Sequence, residues 1–280
     1  MLKSYFSITK PGIIYGNAIT AIAGFLLASK GNVNILKLTA TVIGISLVIG
    51  SACVFNNILD KEIDKKMERT KNRTLVKGEI SDKNAFVYGL ILGVIGFLTL
   101  GISTNNIVVL IGLFAFIDYV ILYGFSKRNS VHGTLIGSLA GSAPIVAGYC
   151  AVSGSIDETA LILFAILTAW QMPHFYSIAI YRLNDYKKAN IPVLPAVRSI
   201  KVTKIYIIFY ILTFILFTIL LRFTGTVNNY FFVIITILGL GWLLLALSGF
   251  KKAKKLWSRY MFYYSLMILM IFSIMISFEY

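Results

Sequence analysis

Long apolar runs separated by short polar ones dominate the chain, recurring over 11–29, 38–58, 85–103, 106–124, 134–152, 159–180, 205–221, 230–249 and 260–278. A helix needs about 20 predominantly apolar residues to cross the hydrocarbon of a bilayer. Each run therefore predicts one span, and the whole predicts an all-α, polytopic membrane protein with nine transmembrane helices in a single bundle. Gly and Pro fall inside several runs, which membrane helices tolerate. The first run leads into the second without the small-residue cleavage site of a secretory signal, and is expected to be retained. Only two polar stretches, 61–84 and 182–204, exceed a tight connection. Loops of that length in a compact protein are often functional, so residues 1–280 read as one domain with its chemistry in those two loops.

Composition and charge sharpen this picture. Hydrophobic residues make up 58% of the chain and charged residues 13%, and the mean hydropathy is +0.83, far from the range of soluble domains. The net charge of +15 is unevenly spread. With the N-terminus inside, Lys3, Lys10, Lys127, Arg128 and the basic residues of 61–83, 182–204 and 251–259 face the cytoplasm, while Lys30, Lys37 and Arg222 fall outside. That is the positive-inside bias of short loops. It predicts a plasma-membrane protein with a cytoplasmic N-terminus, both long loops on the cytoplasmic side, and Asp157-Glu158 and the C-terminus outside. Topology and attraction to anionic lipid account for the basic excess, the run at 251–255 especially, so no nucleic-acid partner is needed. Cys53 and Cys150 lie inside predicted spans without metal-ligand spacing, and read as core residues.

The densest chemistry is the stretch NNILDKEIDKKMERTKNR, residues 56–73, at the cytoplasmic end of the second span. Asn56, Asp60 and Asp64 recur every four residues and share one face of a continuing helix; Arg69, Arg73 and Lys77 repeat the interval just beyond. Carboxylate and amide oxygens suit Mg²⁺, which takes one or two carboxylates and completes its shell with water and phosphate oxygens. Guanidinium groups beside them suit the phosphate. The plainer alternative is a juxtamembrane helix laced with ion pairs such as Glu68 with Arg69 and Lys71. Position argues against it, because Asn56 and Asp60 stand at the mouth of an apolar span, where unpaired polar groups are costly and mark function.

A second candidate is Trp170-Gln171-Met172-Pro173-His174-Phe175 in the sixth span. Pro173 is expected to kink that helix and free a carbonyl. His174, one of two histidines, is suited to contacting a bound group, ordering water or relaying a proton, or simply to bridging helices. In the loop that follows, Asp185 either supplies another metal oxygen or pairs with Lys188. Tyr119 and Tyr123 precede Lys127 at four-residue steps, giving one helical face that lines a pocket or sits in the interfacial aromatic belt. Asp118, in a mostly apolar run, pairs with Arg128 or points into a cavity.

Three segments together, NNILDKEIDKKMERTKNR, KRNSVHGTLIGSLAGSAPIVAGY and WQMPHFYSIAI…DYKKANIPVLP, carry a resemblance over nearly the whole chain. The sequence resembles the UbiA-type intramembrane prenyltransferases, and within them the branch that acts on haem. The resemblance implies that Asn56, Asp60 and Asp64 carry Mg²⁺ bound to farnesyl diphosphate, with Arg69, Arg73, Lys127 and Arg128 around the diphosphate. Lys77, Tyr119, Tyr123 and Lys188 are the further substrate-binding candidates from position and spacing, and the resemblance strengthens His174 and Asp185 as catalytic ones. It further implies haem B as acceptor, prenylated on its vinyl group with addition of water to give haem O, and a haem A synthase or terminal oxidase as the partner that uses the product. Diphosphate departure builds negative charge, which a metal and guanidinium groups stabilise more in the transition state than in the ground state.

The sequence departs from the wider family where a second D-x-x-x-D motif is usual and Tyr181-x-x-x-Asp185 stands instead; Thr74 and Ile145 replace prolines. A prenyltransferase for a quinone precursor or chlorophyllide is expected to keep that motif and lack the WQMPHF run. A transporter is expected to gather its polar groups at the bilayer midplane, whereas these cluster at the cytoplasmic boundary.

Overall fold

The computed structural model describes residues 2–250 and 254–279. In chain order its helices are α1 (Leu2–Ile8), α2 (Pro11–Ser29), α3 (Ile35–Asp64), α4 (Asp82–Ser103), α5 (Asn106–Ile117), α6 (Tyr123–Asn129), α7 (Gly133–Ser153), α8 (Glu158–Tyr181), α9 (Leu183–Lys188), α10 (Leu194–Val197), α11 (Ile200–Phe223), α12 (Asn229–Ser248) and α13 (Lys254–Ile276). A π-helical turn, Asp118–Leu122, joins α5 to α6 without a break. Among the described residues nine helical segments are long and apolar enough to cross a membrane: α2, α3, α4, the α5–α6 unit, α7, α8, α11, α12 and α13. These are the nine spans the apolar runs predict. Of the basic run at 251–255, Lys251 and Lys252 lie outside the described residues.

Local signals set where the spans begin. Asn34, Ser81, Asn105, Asp157, Ser199 and Asn228 each accept a hydrogen bond from a backbone N–H in the first turn of the helix that follows. Each cap satisfies one of the orphan donors at a helix start and contributes about 1 kcal/mol. The second span outruns its apolar window: α3 ends at Asp64, six residues beyond 58, because helix continues through polar residues that a hydropathy window stops at. The polar loops are correspondingly shorter than the sequence suggests, and the second one holds α9 and α10. Pro173 lies inside α8, which runs unbroken from Glu158 to Tyr181. Cys53 and Cys150 are buried and unpaired.

The bundle is built around α7 and α8, the two most buried spans. Helix α7 packs on α2, α5 and α8; α8 packs on α11 and α13; α3 pairs with α4, and α2 touches α3 and α13. Lipid tails are as apolar as the helix surfaces, so association relies on close van der Waals contact and interhelical hydrogen bonds. Both are present. A Cβ added at Gly24 would stand 2.0 Å from the carbonyl oxygen of Ile145, and one at Gly148 would stand 2.0 Å from that of Ala21, so α2 and α7 touch backbone to backbone. Across the α7–α8 interface, Gln171 donates to the Ser138 carbonyl at 3.0 Å and to Ser142 Oγ at 2.9 Å, and Ser142 Oγ meets Thr168 Oγ1 at 2.9 Å. Trp170 Nε1 donates to the Ser265 carbonyl at 2.9 Å, tying α8 to α13.

Gly148→Val would force these backbones apart, at or beyond the about 1–3 kcal/mol typical of overpacking. We expect a clear loss of thermal stability in detergent, whereas Gly16→Ala, where an added Cβ meets nothing within 4 Å, leaves the melting temperature unchanged or raised.

Candidate active site

The last two turns of α3 bury Asn56, Asp60 and Asp64 at 2%, 7% and 5% exposure. Buried carboxylates need partners, and the partners come from three different parts of the chain. From α6, Lys127 Nζ bonds Asp60 Oδ2, while Arg128 Nη2 lies 3.1 Å from Asp60 Oδ1 and 2.7 Å from the Leu59 carbonyl. From the loop after α3, Arg73 Nη1 lies 2.5 Å from Asp64 Oδ2 and 3.4 Å from Asn57 Oδ1. From the N-terminal segment, Lys10 Nζ donates to Asn56 Oδ1 at 2.8 Å, and Asn57 Nδ2 donates to the Ile8 carbonyl at 2.8 Å. Asn56 Nδ2 is buried with no hydrogen-bond partner. A cleft of about 140 Å³ opens between these parts, lined by Ser7, Lys10, Asn57, Asp64, Arg73 and Thr74 among others.

The loop departs from the expected continuation of the helix. Beyond Asp64 the chain folds into turns, closed by Thr70 Oγ1 donating to the Asp64 carbonyl at 3.0 Å and by Gly78 at φ 72°. Arg69, Arg73 and Lys77 consequently share no helical face. Arg73 reaches Asp64 because the chain doubles back, while Arg69 and Lys77 are exposed. Glu68 pairs with Lys71, as the ion-pair reading anticipated.

Lys10, unremarked by motif spacing beyond its charge, adopts φ 55° immediately before Pro11. Positive φ is uncommon for a residue with a Cβ, and the Lys10–Asn56 bond together with α1 docking on Asn57 fixes it. Burial pushes the Lys10 ammonium down to about 8.

Tyr119 and Tyr123 stack with ring centroids 5.5 Å apart, and Lys127 Nζ lies 4.9 Å from the Tyr123 centroid, so the expected Tyr-Tyr-Lys face exists and abuts Asp60. Asp118 does not pair with Arg128. It turns toward α7 and accepts a hydrogen bond from the Ala140 N–H at 3.2 Å, while Arg128 is drawn back to Asp60. In the second loop Asp185 is buried and forms no ion pair with the exposed Lys188 among the described residues. Beside it Tyr186, whose phenol burial pushes up, stands in the field of Arg69, Asp185, Arg182 and Arg73, which brings the two loops together.

His174 is buried deeper in the bundle, stacked on Trp170 at 5.0 Å and close to Phe262 at 4.9 Å. Its Nδ1 lies 2.8 Å from Ser265 Oγ, and that hydroxyl donates to the Phe262 carbonyl at 2.6 Å. The Phe262 carbonyl competes with Nδ1 for the serine proton. In the tautomer that donates from Nδ1 to Ser265 Oγ, Nε2 holds the lone pair.

Among the described residues no three His, Cys, Asp or Glu side chains converge on one point. Instead two carboxylates are held by Arg73, Lys127 and Arg128, with Lys10 on the amide one turn before Asp60. The excess of cations and the orphaned amide suit an incoming anion that brings its own counter-ion.

Comparison with known proteins gives a consistent picture. A family model described as the UbiA prenyltransferase family matches residues 17–266. A protein of Citrobacter koseri named protoheme IX farnesyltransferase is 48% identical over 282 residues, covering 100% of this chain and 95% of its own. A protein of Klebsiella pneumoniae with the same name is also 48% identical, covering 100% and 96%. Among solved structures, one concerning digeranylgeranylglyceryl phosphate synthase superposes with a TM-score of 0.83 at 19% identity, covering 99% of this chain and 98% of that one. A UbiA homologue from Archaeoglobus fulgidus bound to GPP and Mg²⁺ superposes with a TM-score of 0.69 at 13% identity, covering 98% and 99%. These likenesses show the fold.

The Asp60–Lys127 pair, with side chains 9% and 11% exposed, predicts strong coupling. Removing one partner of a buried pair strands the other charge. Lys127→Met should therefore destabilise the protein more than Lys127→Met combined with Asp60→Asn, with a coupling of about 1–3 kcal/mol in a double-mutant cycle read from thermal unfolding in detergent.

Proposed function

The chain belongs to the UbiA prenyltransferase family, and we propose that it transfers the farnesyl group of farnesyl diphosphate to a vinyl group of haem B, with addition of water, giving haem O and diphosphate. The observation that carries the reading is the cluster at the end of α3. Four cations, Lys10, Arg73, Lys127 and Arg128, surround two buried carboxylates and an amide at the mouth of an apolar bundle. A polyanionic head joined to a long hydrocarbon tail matches that layout, with the head among the cations and the tail between the spans. The relatives at 48% identity, matched across the whole chain, support farnesyl as the group and protohaem as the acceptor. The basic loops share the end of the bundle that holds the cluster, which supports a cytoplasmic active site in the plasma membrane.

The donor set fits Mg²⁺. Asn56, Asp60 and Asp64 offer one amide and two carboxylate oxygens along one helix face, a set that water and diphosphate oxygens would complete. The Asn56 oxygen accepts from Lys10 at 2.8 Å, a contact that Mg²⁺ would replace. Bound Mg²⁺ would supply Lewis-acid stabilisation of the leaving diphosphate.

The chain's own residues supply the rest. Arg73, Arg128 and Lys127 donate charge-assisted hydrogen bonds to the diphosphate, and their hold strengthens as negative charge grows on it. Arg69, Lys77 and Lys188, exposed at the rim, draw the anion in. As the allylic C–O bond breaks, its electron pair leaves with the diphosphate. Tyr119, stacked on Tyr123 beside the cluster, offers its other face to the electron-poor carbon that remains, and an aromatic face favours positive charge. The vinyl π electrons form the new C–C bond. Water then adds at the resulting cationic carbon of the haem substituent and gives up a proton, for which His174 Nε2 holds an available lone pair. Asp185, buried beside Tyr186, is the second loop's candidate for a further metal oxygen.

The decisive measurement is extraction of haem from membranes of a host lacking haem O, with and without this gene, resolved by mass and reverse-phase retention. A farnesylated, hydrated haem is expected; unmodified haem B despite expression in the membrane would remove the acceptor assignment. Asp60→Asn and Asp64→Asn should each lower turnover by about a hundredfold or more, and chelation of Mg²⁺ should abolish it reversibly; wild-type rates in either variant would return that aspartate to a structural role. His174→Gln should slow turnover by about a hundredfold with unchanged binding of farnesyl diphosphate, and normal haem O output from it would leave the imidazole a packing group.

A further inference from the structure

Three cations gather on one aromatic ring at the same end of the bundle. Around Tyr181 the ring centroid lies 4.8 Å from Arg182 Cζ, 5.6 Å from Lys255 Nζ and 5.7 Å from Arg259 Cζ. Six other basic residues at this end each meet a carboxylate: Lys61, Lys65, Lys71, Arg73, Lys127 and Arg128. Among the described residues, Arg182, Lys255 and Arg259 form no ion pair. An aromatic face attracts a cation only weakly at an exposed position, and it does not offset the mutual repulsion of three. An anion does.

The cluster stands at a particular place. Tyr181 follows His174 by two turns of α8, on the same face. On α13, Arg259 precedes by one turn Phe262, whose ring packs against His174. The cations therefore cap the α8–α13 seam that has His174 in its depth. Arg182 also shares with Arg69 and Arg73 the surroundings of Tyr186, so the cluster continues the rim of the α3 site. Helix α2 packs on both α3 and α13.

We propose that Arg182, Lys255 and Arg259, set around Tyr181, bind the propionate carboxylates of the tetrapyrrole acceptor. The proposal rests on haem B being that acceptor. Guanidinium groups hold carboxylates through paired hydrogen bonds, and Tyr181 adds no carboxylate to compete with them. The propionates of haem B lie on the edge opposite its vinyl groups. Anchoring them on the α13 side directs the vinyl edge away from α13, toward the side of the mouth where Asp60 and Asp64 lie. Anionic lipid headgroups are the other source of negative charge at a membrane boundary, and the experiment separates the two.

Purified protein is reconstituted in vesicles of phosphatidylcholine, with and without phosphatidylglycerol, and assayed with protohaem and with its dimethyl ester, in which both propionates are neutral. The wild type should show a KM about tenfold higher for the ester. Lys255→Gln combined with Arg259→Gln should raise the KM for protohaem about tenfold, the scale of one lost charged contact, while the KM values for the ester and for farnesyl diphosphate stay unchanged in both vesicles. Arg259→Lys should restore part of the loss in a Lys255 background. Equal use of both acceptors by the wild type, equal impairment of the double variant on both, or a loss seen only with phosphatidylglycerol would each overturn the carboxylate site while leaving haem as the substrate. Wild-type protein that consumes farnesyl diphosphate but never prenylates protohaem would overturn the acceptor assignment and this site with it.

Discussion

Asp60 and Asp64 are buried at the end of an apolar helix, and a buried carboxylate is tolerable only when charge and hydrogen bonds compensate it. Much of the architecture at this end of the bundle answers that constraint. The loop after α3 doubles back to deliver Arg73, α6 ends with Lys127 and Arg128 aimed at Asp60, and the N-terminal segment brings Lys10 to Asn56. Each cation arrives from a different element, so the carboxylates hold together parts of the chain distant in sequence. The same charges that secure the fold without ligand are the ones a diphosphate would recruit, which makes the site preorganised for an anion.

The apolar part of the bundle coheres by other means. Glycines let α2 and α7 meet backbone to backbone, and Gln171, Ser142, Thr168 and Trp170 lace α7, α8 and α13 with hydrogen bonds that have no water to compete with them. Such contacts depend on shape more than on hydrophobicity, because lipid offers the helices an equally apolar alternative. The packed centre they create holds His174 against Ser265 while the polar loops above remain more exposed.

The spans were legible in the sequence because hydropathy reports directly on solvent, and the Asn56–Asp60–Asp64 face was legible because all three residues lie on one unbroken helix. Arg73 stands beside this face by a route other than its interval of four: the helix stops at Asp64, and turns bring the guanidinium back to it. The contacts of Lys10 and Asn57 at the site span 46 and 49 residues, beyond the reach of any local period. Asp118 and Arg128 stay apart because the carboxylate of Asp60 competes for the guanidinium. The cluster at Tyr181 joins residues from α8 and α13, and nothing in spacing links them.

One backbone irregularity governs the direction of these charges. The π-helical turn at Asp118–Leu122 admits an additional residue into the helix, and each residue of an α-helix advances the side-chain direction by about 100°. Everything after the turn is therefore rotated relative to everything before it: the lipid-facing stripe of α5 and the carboxylate-facing end of α6 belong to one continuous rod but follow different phases. Wound as a regular α-helix, the identical sequence would keep its charges at the same depth and aim Lys127 somewhere else. Helical phase, set by a single wide turn, is thus as much a determinant of this site as the identity of the residues that form it.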